Sequence, residues 1–93
     1  MGVVYKYQLV VTDRQKVTMP KDAKVLTIQV QNGTPCIWAM VEPKNPEEEV
    51  VIRIHGTGHN ISDPERLEYI GTFQVRNYGL VFHAFKEKQD GKN

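Results

Sequence analysis

An all-β domain, a small sandwich or barrel of about seven short, mostly antiparallel strands, is the architecture expected of this chain. Apolar residues recur at every second position in one segment after another. Turn-forming residues interrupt these segments at roughly ten-residue intervals, and no stretch carries the 3.6-residue period of a long helix. With 93 residues the chain has room for one core, so residues 1–93 read as a single domain. Its ordered core is expected at about residues 4–86, with a frayed tail over 87–93 where charged and small residues gather.

Tyr5-Lys6-Tyr7-Gln8-Leu9-Val10-Val11 alternates and is closed by Thr12-Asp13-Arg14, giving a first strand and a turn. Gln15-Lys16-Val17-Thr18-Met19 alternates again before Pro20-Lys21-Asp22; a proline at its end suits an edge strand. In residues 24–31, Leu26, Ile28 and Val30 alternate with Thr27, Gln29 and Gln31, and Asn32-Gly33 follows, the strongest short hairpin signal. The return strand, Cys36-Ile37-Trp38-Ala39-Met40-Val41, is apolar on both faces, as a central strand or a partner-covered one would be. Residues 42–49 contain prolines and an acidic run and read as a solvated loop.

Val50-Val51-Ile52-Arg53-Ile54-His55 is a further strand, with Arg53 and His55 on its less apolar face. Ser62-Asp63-Pro64-Glu65 combines a capping residue with proline near the first helical position, which predicts one helical turn near residues 62–67. Residues 67–75 and 80–85 are two last strands, joined as a hairpin around Asn77-Tyr78-Gly79.

Twelve Lys and Arg against eleven Asp and Glu leave a formal charge of +1, too small a field to draw duplex nucleic acid. No apolar run reaches the roughly 18–20 residues of a membrane helix, and no signal peptide is visible at the N-terminus. The single Cys36 cannot form an intramolecular disulfide and fits a reducing, cytosolic setting. A domain this small buries a modest share of its surface, and its strand over 36–41 offers a second apolar face. A homo-oligomer, a dimer of dimers, is therefore expected.

Chemistry concentrates in Arg53-Ile54-His55-Gly56-Thr57-Gly58-His59-Asn60. Two glycines one residue apart let the backbone approach an anion and can turn successive N–H groups toward it, while Arg53, Thr57 and His59 add side-chain donors. The same residues also make an ordinary glycine-rich turn in which His59 caps the loop. This is not a dinucleotide-fold fingerprint, since a third glycine and a following helix are missing. His55, His59 and His83 are numerous enough for a zinc site, but no acidic residue stands at ligand spacing, so neither metal nor cofactor is expected. Cys36 lies among apolar residues and not in the electropositive setting of a reactive thiol. Without a nucleophile or acid–base pair, the chain reads as a binding protein and not an enzyme. Trp38, Tyr69, Phe73, Tyr78 and Phe82 are candidate base-stacking rings, although most of them are expected in the core, with Trp38 the exception on the doubly apolar strand.

The stretches Lys24-Val-Leu-Thr-Ile-Gln-Val-Gln-Asn-Gly-Thr-Pro-Cys-Ile-Trp-Ala-Met-Val41, Ile54-His-Gly-Thr-Gly-His59 and Tyr69-Ile-Gly-Thr-Phe-Gln74, with Leu80-Val-Phe-His83, resemble a family of small phage and prophage proteins. The resemblance runs from Tyr5 to near Phe85. It implies counter-defence of the anti-CBASS kind, in which an oligomer sequesters cyclic dinucleotide signals such as cyclic GMP–AMP in the host cytosol. In that reading Gly56, Thr57 and Gly58 meet phosphate, Arg53 and His59 complement its charge, Trp38 or a tyrosine stacks on a base, and His55 counts among the ligand-binding residues. The alternative is a phage accessory or structural protein that acts through protein contacts and takes no nucleotide.

Overall fold

Period-two alternation makes strands with one apolar face, and such faces are stable only when packed on one another. The computed structural model describes residues 2–75 and 79–89. They form β1 (Val3–Gln8), β2 (Arg14–Pro20), β3 (Lys24–Gln31), β4 (Thr34–Val41), β5 (Glu47–Gly56), β6 (Leu67–Val75) and β7 (Leu80–Glu87). The chain is all-β: a three-stranded sheet ordered β1-β4-β3 lies on a four-stranded sheet ordered β2-β5-β7-β6, and every pairing is antiparallel. Ile28, Ile37, Ala39 and Val41 from the first sheet meet Met19, Val50, Ile52, Ile54, Phe73 and Ala84 from the second in the buried core. No helix among the described residues is long and apolar enough to cross a membrane.

Local signals set several junctions. Asn32 and Gly33 carry positive φ angles of 53° and 81°, the geometry a tight hairpin demands between twisted strands. The doubly apolar strand is β4, central in its sheet between β1 and β3. The proline-ended strand is β2, an edge. The helical turn is a 3-10 turn at Pro64–Arg66 preceded by Asp63, whose side chain makes no cap.

Of the strand boundaries that differ from the sequence expectation, three have a visible cause. β1 stops at Gln8 because the amide of Gln15 takes the place of a strand partner, accepting from Val10 N–H (3.2 Å) and donating to Val10 C=O (2.7 Å). Glu47, Glu48 and Glu49 belong to β5 and pair with β2 instead of lying in a loop; Lys16 stands 3.6 Å from Glu49. β7 continues to Glu87, because that carboxylate sits 3.1 Å from both Arg14 and Arg53. Asn77, Tyr78 and residues 90–93 lie outside the described residues.

β5 and β6 both run antiparallel to β7 and hence parallel to each other. β5 ends where Gly56 faces Phe82, whereas β6 begins where Leu67 faces Glu87. Residues 57–66 must therefore travel back along the sheet, and they do so as a strap over its outer face.

Candidate ligand-binding face

The outer face of the four-stranded sheet is defined by register. Arg53 faces Phe85, which faces Tyr69, and in the next row His55 faces His83, which faces Thr72. The strap lies across this face. Asp63 pairs with Arg53 at 3.3 Å where it crosses; at its ends Arg66 C=O accepts from Lys88 N–H at 2.8 Å, in step with the β6–β7 pairing, and the His59 ring fills the space beside Gly56 on the side that Phe82 shares, where an added Cβ would stand 3.0 Å from the His59 ring carbon Cε1.

Arg53 is thus committed. Its side chain is 14% exposed and holds two carboxylates, Asp63 and Glu87. The Arg53 hydrogen bond holds the Asp63 carboxyl below its usual range, and Arg14 together with Arg53 does the same to Glu87. Those bonds in turn raise the guanidinium, Asp63 contributing most. A phosphate at Arg53 would have to displace a carboxylate.

The strap backbone is partly committed as well. Thr57 N–H donates to Val81 C=O (3.2 Å) and His59 N–H to Gly56 C=O (3.1 Å), so two of the three successive donors are already taken. Gly58, between them, has φ +87° with nothing within 4 Å of where a Cβ would be. This is the place on the strap where backbone is open to close approach.

Beside it runs a row of hydrogen bonds that sequence reasoning did not assemble. Tyr69 OH lies 2.6 Å from Thr72 Oγ1, Thr72 Oγ1 2.9 Å from His83 Nδ1, and His83 Nε2 2.7 Å from Thr57 Oγ1, which also donates to Val81 C=O at 3.4 Å. One direction of donation satisfies every member: Tyr69 to Thr72, Thr72 to His83 Nδ1, His83 Nε2–H to Thr57, Thr57 to Val81. Tyr69 is 63% exposed, so an open aromatic ring is joined through this row to the residue next to Gly58. The hairpin pairing of Thr72 with His83 is the sequence signal that could have found half of it. The Thr57 contact depends on β5 meeting β7.

The remaining candidates separate. Phe73 is a core residue and Phe82 packs against it, ring centroids 5.6 Å apart. Trp38 faces Lys6 and Thr27 in the other sheet, alternating with buried Ile37 and Ala39, so it projects from the opposite outer face and does not join the strap within one chain. Cys36 is buried with its thiol 3.5 Å from Thr34 C=O. Among the described residues no three His, Cys, Asp or Glu side chains are grouped as a metal ion would need.

His55 lies under the strap, its ring edge-on to Phe85 at 5.9 Å and its Nε2 buried without a hydrogen-bond partner. Burial, then the charge of Arg53, pushes its imidazole below the usual value. Its stabilising contribution is present above the ordinary imidazole value near 6.5 and is lost as pH falls through the lowered folded value. His55→Phe keeps the ring contact and removes the orphaned nitrogen. It is expected to raise the melting midpoint by about 2–6 °C and to reduce its fall between about pH 7 and pH 5. Melting curves over that range check this; identical pH slopes for the two proteins would refute it.

A family model described as a domain of unknown function (DUF7352) matches residues 1–93. No curated protein and no solved structure matches the chain.

Proposed function

The chain belongs to the DUF7352 family, and from the face just described we propose that it is a binding protein and not an enzyme, an oligomeric sponge that holds cyclic dinucleotide signals of the CBASS type. In this reading it is a counter-defence protein of a phage or prophage, working in the host cytosol. The observation that carries the reading is the row from the exposed Tyr69 ring to Thr57 beside the open Gly58 backbone. A base stacks on the ring and a phosphate approaches the strap. Trp38 reaches such a ligand only from a second copy, since it stands on the opposite face of its own chain. The reading therefore requires an oligomer. Arg53 serves by holding the strap through Asp63. Sequestration rather than cleavage is supported by the company His83 keeps among the described residues: its two ring nitrogens meet the neutral Thr72 and Thr57 hydroxyls, whereas a general base is backed by a carboxylate that stabilises the imidazolium.

A second reading, an accessory or structural phage protein acting through protein contacts, is favoured by the commitment of Arg53 to Asp63 and Glu87 and of the Thr57 and His59 N–H groups to backbone carbonyls. Titration with cyclic GMP–AMP, followed through the fluorescence of the single Trp38 and by recovery of the nucleotide after heat denaturation, separates the two. Saturable binding with intact nucleotide returned is the expected result. A linear product that accumulates with time would make the protein a hydrolase, and no binding across a panel of cyclic dinucleotides would leave the second reading.

A further inference from the structure

The two sheets leave four edges, and three of them are guarded against pairing with another strand. β3 and β6 lie beside each other and each carries a bulge, between Val25 and Thr27 and between Tyr69 and Gly71. β2 bears Arg14 and Lys16 and ends in Pro20. Bulges, charges and prolines are the usual means of blunting an edge. β1 has none of them at its open side. It pairs with β4 in an unbroken register from Val3 to Gln8, its residues Val-Val-Tyr-Lys-Tyr favour extended structure, and its one charge leans away: Lys6 Nζ donates to Gln31 of β3 at 2.7 Å, on the far side of β4.

The inner side of β1 is also uncovered. Val3 and Tyr5 face Val41 and Ala39 and so share the core-facing side of the sheet, where Val41 and Ala39 are 2% and 0% exposed. Yet Val3 and Tyr5 are 40% and 43% exposed. The sandwich is incomplete at this edge.

We propose that β1 pairs antiparallel with β1 of a second copy, joining two three-stranded sheets into one sheet of six. The backbone selects the register. Leu9 N–H donates to Pro35 C=O, in step with the β1–β4 pairing, so the odd-numbered residues of β1 turn their N–H and C=O groups to β4 and Val4, Lys6 and Gln8 turn theirs to the open edge. Pairing across a two-fold axis at Tyr5 sets Tyr5 against its copy and Val4 against Lys6 of the copy, so that Val4 and Lys6 exchange hydrogen bonds on both sides. Val3, Tyr5 and Tyr7 then cover one another over the seam on the inner face. An axis at Lys6 would instead place two ammonium groups face to face. The pairing is self-complementary, which is what makes a second copy the occupant.

This assembly needs no nucleotide, so it is tested on ligand-free protein and its failure leaves the proposed function standing or falling by itself. Val4→Pro removes an N–H that points to the open edge and spares the β1–β4 ladder. Val4→Lys sets a like charge against Lys6 of the copy, and Val4→Glu an opposite one. Light scattering should find the wild-type particle at a multiple of 10.7 kDa, its mass halved by Val4→Pro and by Val4→Lys and kept by Val4→Glu, with unchanged circular dichroism for all. A wild-type mass of 10.7 kDa at micromolar concentration would overturn the proposal. So would a Val4→Lys particle as heavy and as tight as Val4→Glu, a comparison that holds even if the proline variant does not fold.

Discussion

Gly71→Ala is expected to lower the stability of the domain by about 1–3 kcal/mol, a fall of about 5–20 °C in melting midpoint for a chain of this size. Gly71 follows the β6 bulge and faces Ala84 of β7, on the side of the sheet that meets β3. A Cβ there would stand 2.8 Å from Cγ2 of Ile28, a distance that forces movement. Ile28 is 5% exposed and β-branched, so its side chain is restricted at χ1 and closely packed. The cost is steric and local. Gly58→Ala is the instructive contrast, since its φ of +87° is disfavoured for alanine although nothing stands within 4 Å; that change carries a conformational cost of about 1 kcal/mol. Thermal unfolding of Gly71→Ala, Ile28→Ala and the double variant makes the cycle: the double variant should lose less than the two single losses added together. Strict additivity would show that the two residues do not meet.

Arg53→Ala is expected to cost about 1–3 kcal/mol and to loosen the strap, since the guanidinium makes charge-assisted bonds to Asp63 and Glu87 that are partly open to solvent and weaker for it. The pH dependence has a definite sign. Both carboxyls are held below their ordinary values, so their contribution is present above about pH 4 and is lost as the pH falls through the lowered folded values. The variant should lose less stability than the wild type on acidification, with Glu87 retaining Arg14. A second variant separates holding the strap from meeting a phosphate. Asp63→Asn releases the strap but leaves Arg53 charged. If Arg53 acts through the strap, both variants weaken nucleotide binding together; if it meets phosphate directly, Asp63→Asn opens one side of the guanidinium, Glu87 keeping the other, and binding tightens. Calorimetric titration with cyclic GMP–AMP beside melting curves distinguishes the two.

Strand identity was legible because alternation is a property of neighbouring residues. β3 and β6 have the expected bounds, Asn32-Gly33 makes its tight turn, and the doubly apolar segment is central. The acidic run at residues 47–49 was not legible as strand, since nothing local says that β2 will lie beside it and offer Lys16. The candidate site divides along the same line. Arg53, His55, Gly56, Thr57, Gly58 and His59 stand together because they are contiguous in sequence, but what each can do is set by strands distant in the chain: Glu87 takes one side of Arg53, Val81 takes the Thr57 N–H, and His83 joins Thr57 to Thr72 and Tyr69. Trp38 shares only its chemistry with the loop's candidate role and stands on the other sheet. The sequence by itself determined the strands, their turns and the absence of a long helix, through side-chain period and backbone preference. Only the tertiary structure decided that residues 57–66 are a strap, because β7 enters between β5 and β6 and the chain must cross the sheet to begin β6.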